Sequence, residues 1–281
     1  MKKLIPLFLL ALMISSCNEG SKKKHAANST LDHAKTLMAI FAHSDDESTI
    51  LPIMSKYSRE GANVYLVNVT DGSQGAYPHA NIPAGDSLAK VRAGEALCVT
   101  ETLDINSPIL LNFPDGELAL WDNIYSLDDK IDSLFRQYQP DVVITFGPDG
   151  GYGGHPDHRI FSNIVTEVFQ AKESVPSQLL YVGWPTNEPV SKQRFETDLV
   201  NFFADNMHKT QKKYLTYQIP YEHKNLQVMK EAIRCYWSQF TMVQQDEVFS
   251  LLVQPERMIY FRPFLGSSEV QSDIFVMNHL K

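Results

Sequence analysis

From Thr36 onward, short apolar runs alternate with amphipathic stretches in the rhythm of βαβ units. The runs Thr36–Ala42 (TLMAIFA), Asn63–Val69 (NVYLVNV), Pro108–Asn112 (PILLN), Asp141–Phe146 (DVVITF) and Leu179–Gly183 (LLYVG) are mostly continuous rather than alternating, which predicts parallel strands buried on both faces. Helical patterning predicts helices over Asp46–Arg59, Ser87–Leu103, Asn123–Tyr138, Pro156–Gln170 and Asn225–Gln239. A loop from Pro185 to Pro189 separates this body from a C-terminal third in which Val248–Phe264 reads as added strands. The expected class is α/β, a doubly wound, mostly parallel sheet of order 3-2-1-4-5 flanked by helices, with extra C-terminal strands and a helix. No internal repeat is visible.

The first sixteen residues break this rhythm. MKKLIPLFLLALMISS has two lysines, an apolar run from Leu4 to Ile14 and two serines. The run is about half of the roughly 20 residues a spanning helix needs, so it reads as a secretory signal rather than a membrane span. Ile14-Ser15-Ser16-Cys17 then resembles a bacterial lipobox, which makes Cys17 the acylated N-terminus and the membrane the chain's anchor. The predicted organisation is a lipoprotein signal peptide over 1–16, a flexible polar tether over 17–35 and one catalytic domain over 36–281. The predicted location is extracytoplasmic, on a membrane of the periplasm or on the outer membrane. Of 281 residues, 43% are hydrophobic and 21% charged, with a formal charge of −8. That composition excludes a disordered chain, and the acidic balance argues against nucleic acid as a partner. Cys98 and Cys235 lack metal-ligand spacing; they could pair in an oxidising compartment, but both sit in helical, apolar patterns, so two buried free thiols are expected.

The chemistry concentrates in two turns. The first strand runs into His43-Ser44-Asp45-Asp46-Glu47, where Ser44-x-x-Glu47 also fits a capping box and acids suit a first helical turn. The fourth strand runs into Gly147-Pro148-Asp149-Gly150-Gly151-Tyr152-Gly153-Gly154, then His155-Pro156-Asp157-His158. Pro156 suits a first helical position, but structure asks for neither histidine. In the sheet order above, strands 1 and 4 are neighbours and the crevice outside their carboxyl ends binds ligands. His43, Asp46 and one of the two later histidines then make three N/O ligands with an open position, the layout of a catalytic zinc site.

Ala42-His43-Ser44-Asp45-Asp46-Glu47 and Gly154-His155-Pro156-Asp157-His158 resemble the A-H-P-D-D-E and G-H-P-D-H motifs of the PIG-L/LmbE-like zinc-dependent de-N-acetylases of N-acetylglucosaminyl compounds. Thr70-Asp71-Gly72-x-x-Gly75, Arg92-x-x-Glu95, Phe113-Pro114-Asp115-Gly116-Glu117-Leu118 and Ser238-Gln239 extend the resemblance, which covers roughly Leu37 to Gln239. It implies a Rossmann-like fold and metal-dependent hydrolysis of an acetyl or small acyl amide on an amino sugar of a glycan or glycoconjugate. It implies His43, Asp46 and His158 as ligands of Zn2+, with Fe2+ as the other metal such a set accepts. Asp45 is implied as general base, His155 as the group that protonates the leaving amine or stabilises the oxyanion, and Asp157 as the residue that orients His155. Arg92, Asp115 and Tyr152 are the candidate substrate contacts, although an Arg92–Glu95 helix pair and an Asp-Gly turn at Asp115 are equally good structural readings. Tyr77, Trp121 and Trp184 are candidate aromatic walls; His79 and His208 read as surface residues. Ser44 replaces the family's proline, Tyr152 lies one residue further from the first histidine than usual, and Tyr236 stands where histidine is expected. Two other functions fit the same residues: a glycan-binding lipoprotein that has lost catalysis, and a zinc hydrolase of another ester or amide.

Overall fold

The computed structural model describes residues 34–171, 176–186 and 194–276. The signal peptide, Cys17 and the tether up to His33 therefore lie outside the described residues, as does most of the Pro185–Pro189 loop. From Ala34 the chain forms one compact unit. Lys35, assigned above to the tether, already belongs to the sheet: its carbonyl accepts from the Asn63 amide at 2.7 Å.

In chain order the elements are β1 (Thr36–Phe41), α1 (Leu51–Arg59), β2 (Asn63–Thr70), α2 (Asp86–Thr102), β3 (Ile109–Phe113), α3 (Trp121–Tyr138), β4 (Val142–Phe146), α4 (Pro156–Ala171), β5 (Gln178–Pro185), α5 (Asp198–Asn206), β6 (Lys209–Thr210), β7 (Tyr217–Pro220), α6 (His223–Ile233), α7 (Met242–Leu252) and β8 (Met258–Pro263). The sheet runs β3-β2-β1-β4-β5-β8-β7, and the first five strands are parallel in the expected 3-2-1-4-5 order. β8 joins β5 antiparallel, β7 joins β8 antiparallel, and short β6 pairs with the end of β5. β1, β4 and β5 are buried along their whole length, which is why they read as unbroken apolar runs. The strand order winds outward in both directions from β1, with α1 and α2 packed against α6 and α3 against α4. This leaves the β1 and β4 turns side by side at the carboxyl end of the sheet.

Four expectations need correction. The helix expected over Asp46–Arg59 is split: Asp46–Thr49 is a 3₁₀ turn and α1 begins at Leu51, with Pro52 in its first turn where a missing N–H is harmless. The helix expected over Asn225–Gln239 stops at Ile233, and Cys235–Phe240 forms a hydrogen-bonded turn instead. Val248–Phe264 is only half strand, because Met242–Leu252 is a helix. Its start is a capping box in which Thr241 Oγ1 accepts from the Gln244 amide at 3.3 Å and Gln244 Oε1 from the Thr241 amide at 2.8 Å, a T-x-x-Q signal present in the sequence. Finally, Cys98 and Cys235 are not free thiols but a disulfide with Cα atoms 5.8 Å apart. Cys98 lies on the exposed side of α2, off its apolar stripe, and the packing of α2 against α6 brings the two thiols together.

Candidate active site

The β1 turn delivers three of the predicted residues. The His43 amide donates to Asp46 Oδ2 at 2.9 Å, tying the ends of the turn together. Asp45 between them has φ 131°, a conformation that L-residues rarely adopt and that costs on the order of 1–3 kcal/mol. Its neighbours offset that cost. Glu47, fully buried, accepts from the Asp45 amide at 3.0 Å and from the Tyr236 hydroxyl at 3.1 Å. Gln239 Nε2 donates to the Ser44 carbonyl at 2.6 Å and to Glu95 at 3.2 Å. The expected Ser44/Glu47 capping box does not form: Ser44 Oγ finds no partner and the Glu47 carboxylate serves Asp45 instead. Burial pushes the Glu47 carboxyl up to about 7.

The β4 turn supplies the histidines. Gly150, Gly151, Gly153 and Gly154 all have positive φ, and at Gly151 a Cβ would stand 2.6 Å from the Phe146 ring, so only glycine fits there. Pro156 opens α4 as expected, and the first turn of that helix carries Asp157 and His158 inward. His158 Nδ1 donates to the Gly150 carbonyl at 3.0 Å, which turns Nε2 toward the β1 turn. His43 Nε2 faces Asp115 Oδ1 at 3.2 Å and Asp157 Oδ2 at 3.6 Å, which turns its Nδ1 toward His158.

His43 Nδ1 and His158 Nε2 face each other at 3.0 Å, and Asp46 lies beside both, 3.1 Å from His158 Nε2 and 3.6 Å from His43 Nδ1. Ligand atoms held at about 2.1 Å around a tetrahedral zinc stand about 3.4 Å apart, so the spacing suits a divalent cation. The donor set N,N,O fits as well, and the outer carboxylates on His43 are the usual partners of a metal-bound imidazole. Burial alone would raise the Asp46 carboxyl, but His158 and His43 outweigh it and hold the group well below the usual range. Burial lowers His43, and its contacts with Asp115, Asp157 and Asp46 reverse that and raise it well above the usual imidazole value. Asp45 is pushed up by burial and by the charge of Asp46. His155 is pushed down by burial and by the neighbouring histidines.

The remaining predicted residues are close by, but three of them face other partners than expected. Asp157 does not orient His155 through its carboxylate, which accepts from the Gly116 amide at 2.8 Å and the Leu118 amide at 3.3 Å; it is the Asp157 amide that donates to His155 Nδ1, at 3.2 Å. Arg92 is buried, paired with Glu95 at 3.2 Å and donating to the Gly75 carbonyl at 2.6 Å, so it orders the loop after β2. Asp115 accepts from the Gln74 amide at 3.0 Å besides backing His43. The Tyr152 hydroxyl donates to Asp46 Oδ1 at 3.2 Å. All these groups except Asp157 line, or lie at the edge of, one cavity of about 480 Å³ that also takes in Gln74, Tyr77, Phe202, Phe203 and Gln239.

A profile of the PIG-L family, described as GlcNAc-PI de-N-acetylase, matches residues 38–169. A 1D-myo-inositol 2-acetamido-2-deoxy-alpha-D-glucopyranoside deacetylase of Mycobacteroides abscessus is 31% identical over 203 residues, 61% of this chain and 72% of that protein. The chain belongs to the PIG-L family. Proteins of the same description from Streptomyces avermitilis (30% identical, 57% of this chain, 65% of that one) and Catenulispora acidiphila (31%, 44% and 47%) align over shorter stretches, so the chain spans about half to two thirds of these relatives. Among solved structures, N,N'-diacetylchitobiose deacetylase from Pyrococcus horikoshii superposes with a TM-score of 0.62 at 20% identity, covering 83% of this chain and 84% of that one. The zinc-inhibited form of teicoplanin deacetylase Orf2 gives 0.61 at 16%, covering 83% and 99%. At these identities the superpositions establish the fold.

Several residues of this PIG-L chain had no assigned role in the sequence. Glu47 and Glu95 stand inside quoted motifs, yet their part in bracing the β1 turn depends on Tyr236, Ser238 and Gln239, more than 140 positions away in the case of Ser238 and Glu95. Phe202 and Phe203 on α5 carry no motif at all and lie beyond the PIG-L match. Of the proposed aromatic walls only Tyr77 lines the cavity; Trp184 is buried under β6 and Trp121 is 70% exposed, stacked on Tyr125. His79 is exposed as expected, while His208 is half-buried against the glycine turn.

Proposed function

We propose that this chain is a metal-dependent hydrolase that removes an acetyl or small acyl group from an N-acylated amino sugar of a glycan or glycoconjugate. The observation that carries it is the meeting of His43 Nδ1 and His158 Nε2 beside Asp46 in a cavity that also exposes Asp45 and His155. His43, Asp46 and His158 would hold the metal, with Zn2+ the first choice and Fe2+ compatible with the same donors. When bound, the metal supplies the positive charge that stabilises negative charge developing on the amide oxygen. Asp45 takes a proton as water adds to the amide carbon. His155, with Nδ1 accepting from the Asp157 amide, presents Nε2–H to the developing oxyanion as a hydrogen-bond donor, and the proton taken up by Asp45 passes to the nitrogen as the C–N bond breaks. The products are a carboxylic acid and a free amino sugar. The similarity to deacetylases of 2-acetamido sugars supports the substrate class.

Metal content by mass spectrometry, paired with fluorescamine detection of released amine from a panel of N-acetylglucosaminides, tests this directly. One equivalent of metal and steady turnover are expected for the wild type, metal loss for the double variant His43→Ala/His158→Ala, and retained metal without turnover for Asp45→Ala. A folded wild type that binds no metal would overturn the mechanism.

We also propose that the chain works outside the cytoplasm, tethered through an acylated Cys17. The Ile14–Cys17 motif supports this, as does the Cys98–Cys235 disulfide, a bond that persists in oxidising compartments. Among the described residues no helix is long and apolar enough to cross a membrane. Globomycin should shift the protein to its unprocessed mobility; an unchanged band would count against the anchor.

A further inference from the structure

Tyr152, Phe203 and Phe202 form a row of rings that starts at a metal-ligand candidate and ends in solvent. The Tyr152 hydroxyl is 3.2 Å from Asp46 Oδ1, its ring lies 5.2 Å from that of Phe203, and Phe203 lies 6.1 Å from Phe202. Phe202 is 53% exposed at the cavity lip. A polar wall of the cavity is built from Gln74, Arg92 and Asp115, with the Gln74 amide on the Asp115 carboxylate. The two walls meet His43 from opposite edges of its ring, Asp115 at Nε2 and the Asp46–Tyr152 pair at Nδ1. A secondary amide is trans, so its sugar carbon and its acyl carbon leave the C–N bond on opposite sides. With the hydroxyl-rich ring against the polar wall, the acyl group points along the aromatic row. An acetyl group has one carbon beyond its carbonyl, whereas the row runs on from Tyr152 to Phe203 and Phe202, 5.2 Å and 6.1 Å from ring to ring.

We propose that Tyr152, Phe203 and Phe202 form an acyl-chain subsite, and that the preferred substrate is an amino sugar whose N-acyl group is a medium-length alkyl chain such as hexanoyl rather than acetyl. This rests on the hydrolase reading above and sharpens its substrate. Each methylene buried against the row strengthens binding by up to about fourfold.

Calorimetric titration of the EDTA-treated full chain with N-acetyl-, N-butyryl- and N-hexanoylglucosamine and with octyl N-acetylglucosaminide separates the possibilities without turnover; amine release by zinc-loaded protein is measured on the same compounds. Hexanoyl is expected to bind at least tenfold more tightly than acetyl. In Phe202→Ala the hexanoyl-to-acetyl ratio should fall at least fivefold, and Phe202→Leu should recover part of it. Equal affinity for acetyl and hexanoyl overturns the subsite. A gain that follows the octyl aglycone instead overturns it too and assigns the row to the glycosidic side. Chain-length-dependent binding without any turnover by zinc-loaded protein supports the subsite and overturns the hydrolase reading.

Discussion

The two turns that build the site reach the same end by different means. The β1 turn puts a non-glycine residue, Asp45, at φ 131° and holds it there with side chains from elsewhere in the fold: Glu47 braced by Tyr236, and Gln239 on the Ser44 carbonyl. The β4 turn uses four glycines at positive φ and is held by backbone, with the Gly153 amide on the Asn206 carbonyl at 3.1 Å and the His208 amide on the Gly151 carbonyl at 3.2 Å, and by side chains close by in sequence, Asp149 on the Gly151 amide and His158 on the Gly150 carbonyl. In the first turn, geometry depends on which side chains are present at a distance. In the second it depends on side chains being absent locally. The proposed base is thus placed on the braced turn, and His155 and His158 follow the glycine turn.

The largest effect should come from the residue both turns share. Asp46→Ala removes the acceptor of the His43 amide, of Tyr152 and of His158. It should abolish stoichiometric metal and lower turnover by on the order of a thousandfold, about 4 kcal/mol in barrier terms; metal titration and amine release check it.

Next is the brace. Cys98→Ser opens the disulfide that fixes the start of the Cys235–Phe240 turn carrying Tyr236 and Gln239. Denaturant unfolding should show a loss of about 2–5 kcal/mol. A loss confined to unfolding, with full turnover at low temperature, would show that the β1 turn keeps its shape without the brace.

On the other turn, Gly151→Ala drives a methyl into the Phe146 ring at 2.6 Å, and about 2–4 kcal/mol of stability should go with it. Gly153→Ala is the control: its Cβ meets only Phe202, at 3.9 Å, so only the positive φ opposes it, at about 1–2 kcal/mol. If the two variants unfold alike, steric closeness to Phe146 is not what the glycine turn provides.

What the sequence made legible follows from range. The five parallel strands and their order were readable because strands buried on both faces must be continuously apolar, and because a βαβ rhythm leaves few windings. The juxtaposition of His43 with His158 followed from that order and from the two motifs. Orientation was less readable. Asp157 was expected to serve His155 through its carboxylate, but which neighbour a buried carboxylate faces is decided by the amides of Gly116 and Leu118, brought in by a different strand. Cys98 misled because helical patterning says that a segment packs, without saying which flank of it a given side chain occupies. Val248–Phe264 reads as strand because the apolar residues of Val248–Leu252 suit either structure; the helix there is set by the Thr241 capping box upstream.

The cavity has one further consequence, for how such a protein changes over generations. The groups with chemical duties, His43 to His158, lie within the stretch shared with the family, whereas the outer two rings of the aromatic row, Phe202 and Phe203, come from a helix placed after it. Substitutions on that helix can retune what the cavity accepts while no catalytic distance moves. The fold thereby draws the candidate chemistry and the outer lining of one cavity from separate stretches of the chain.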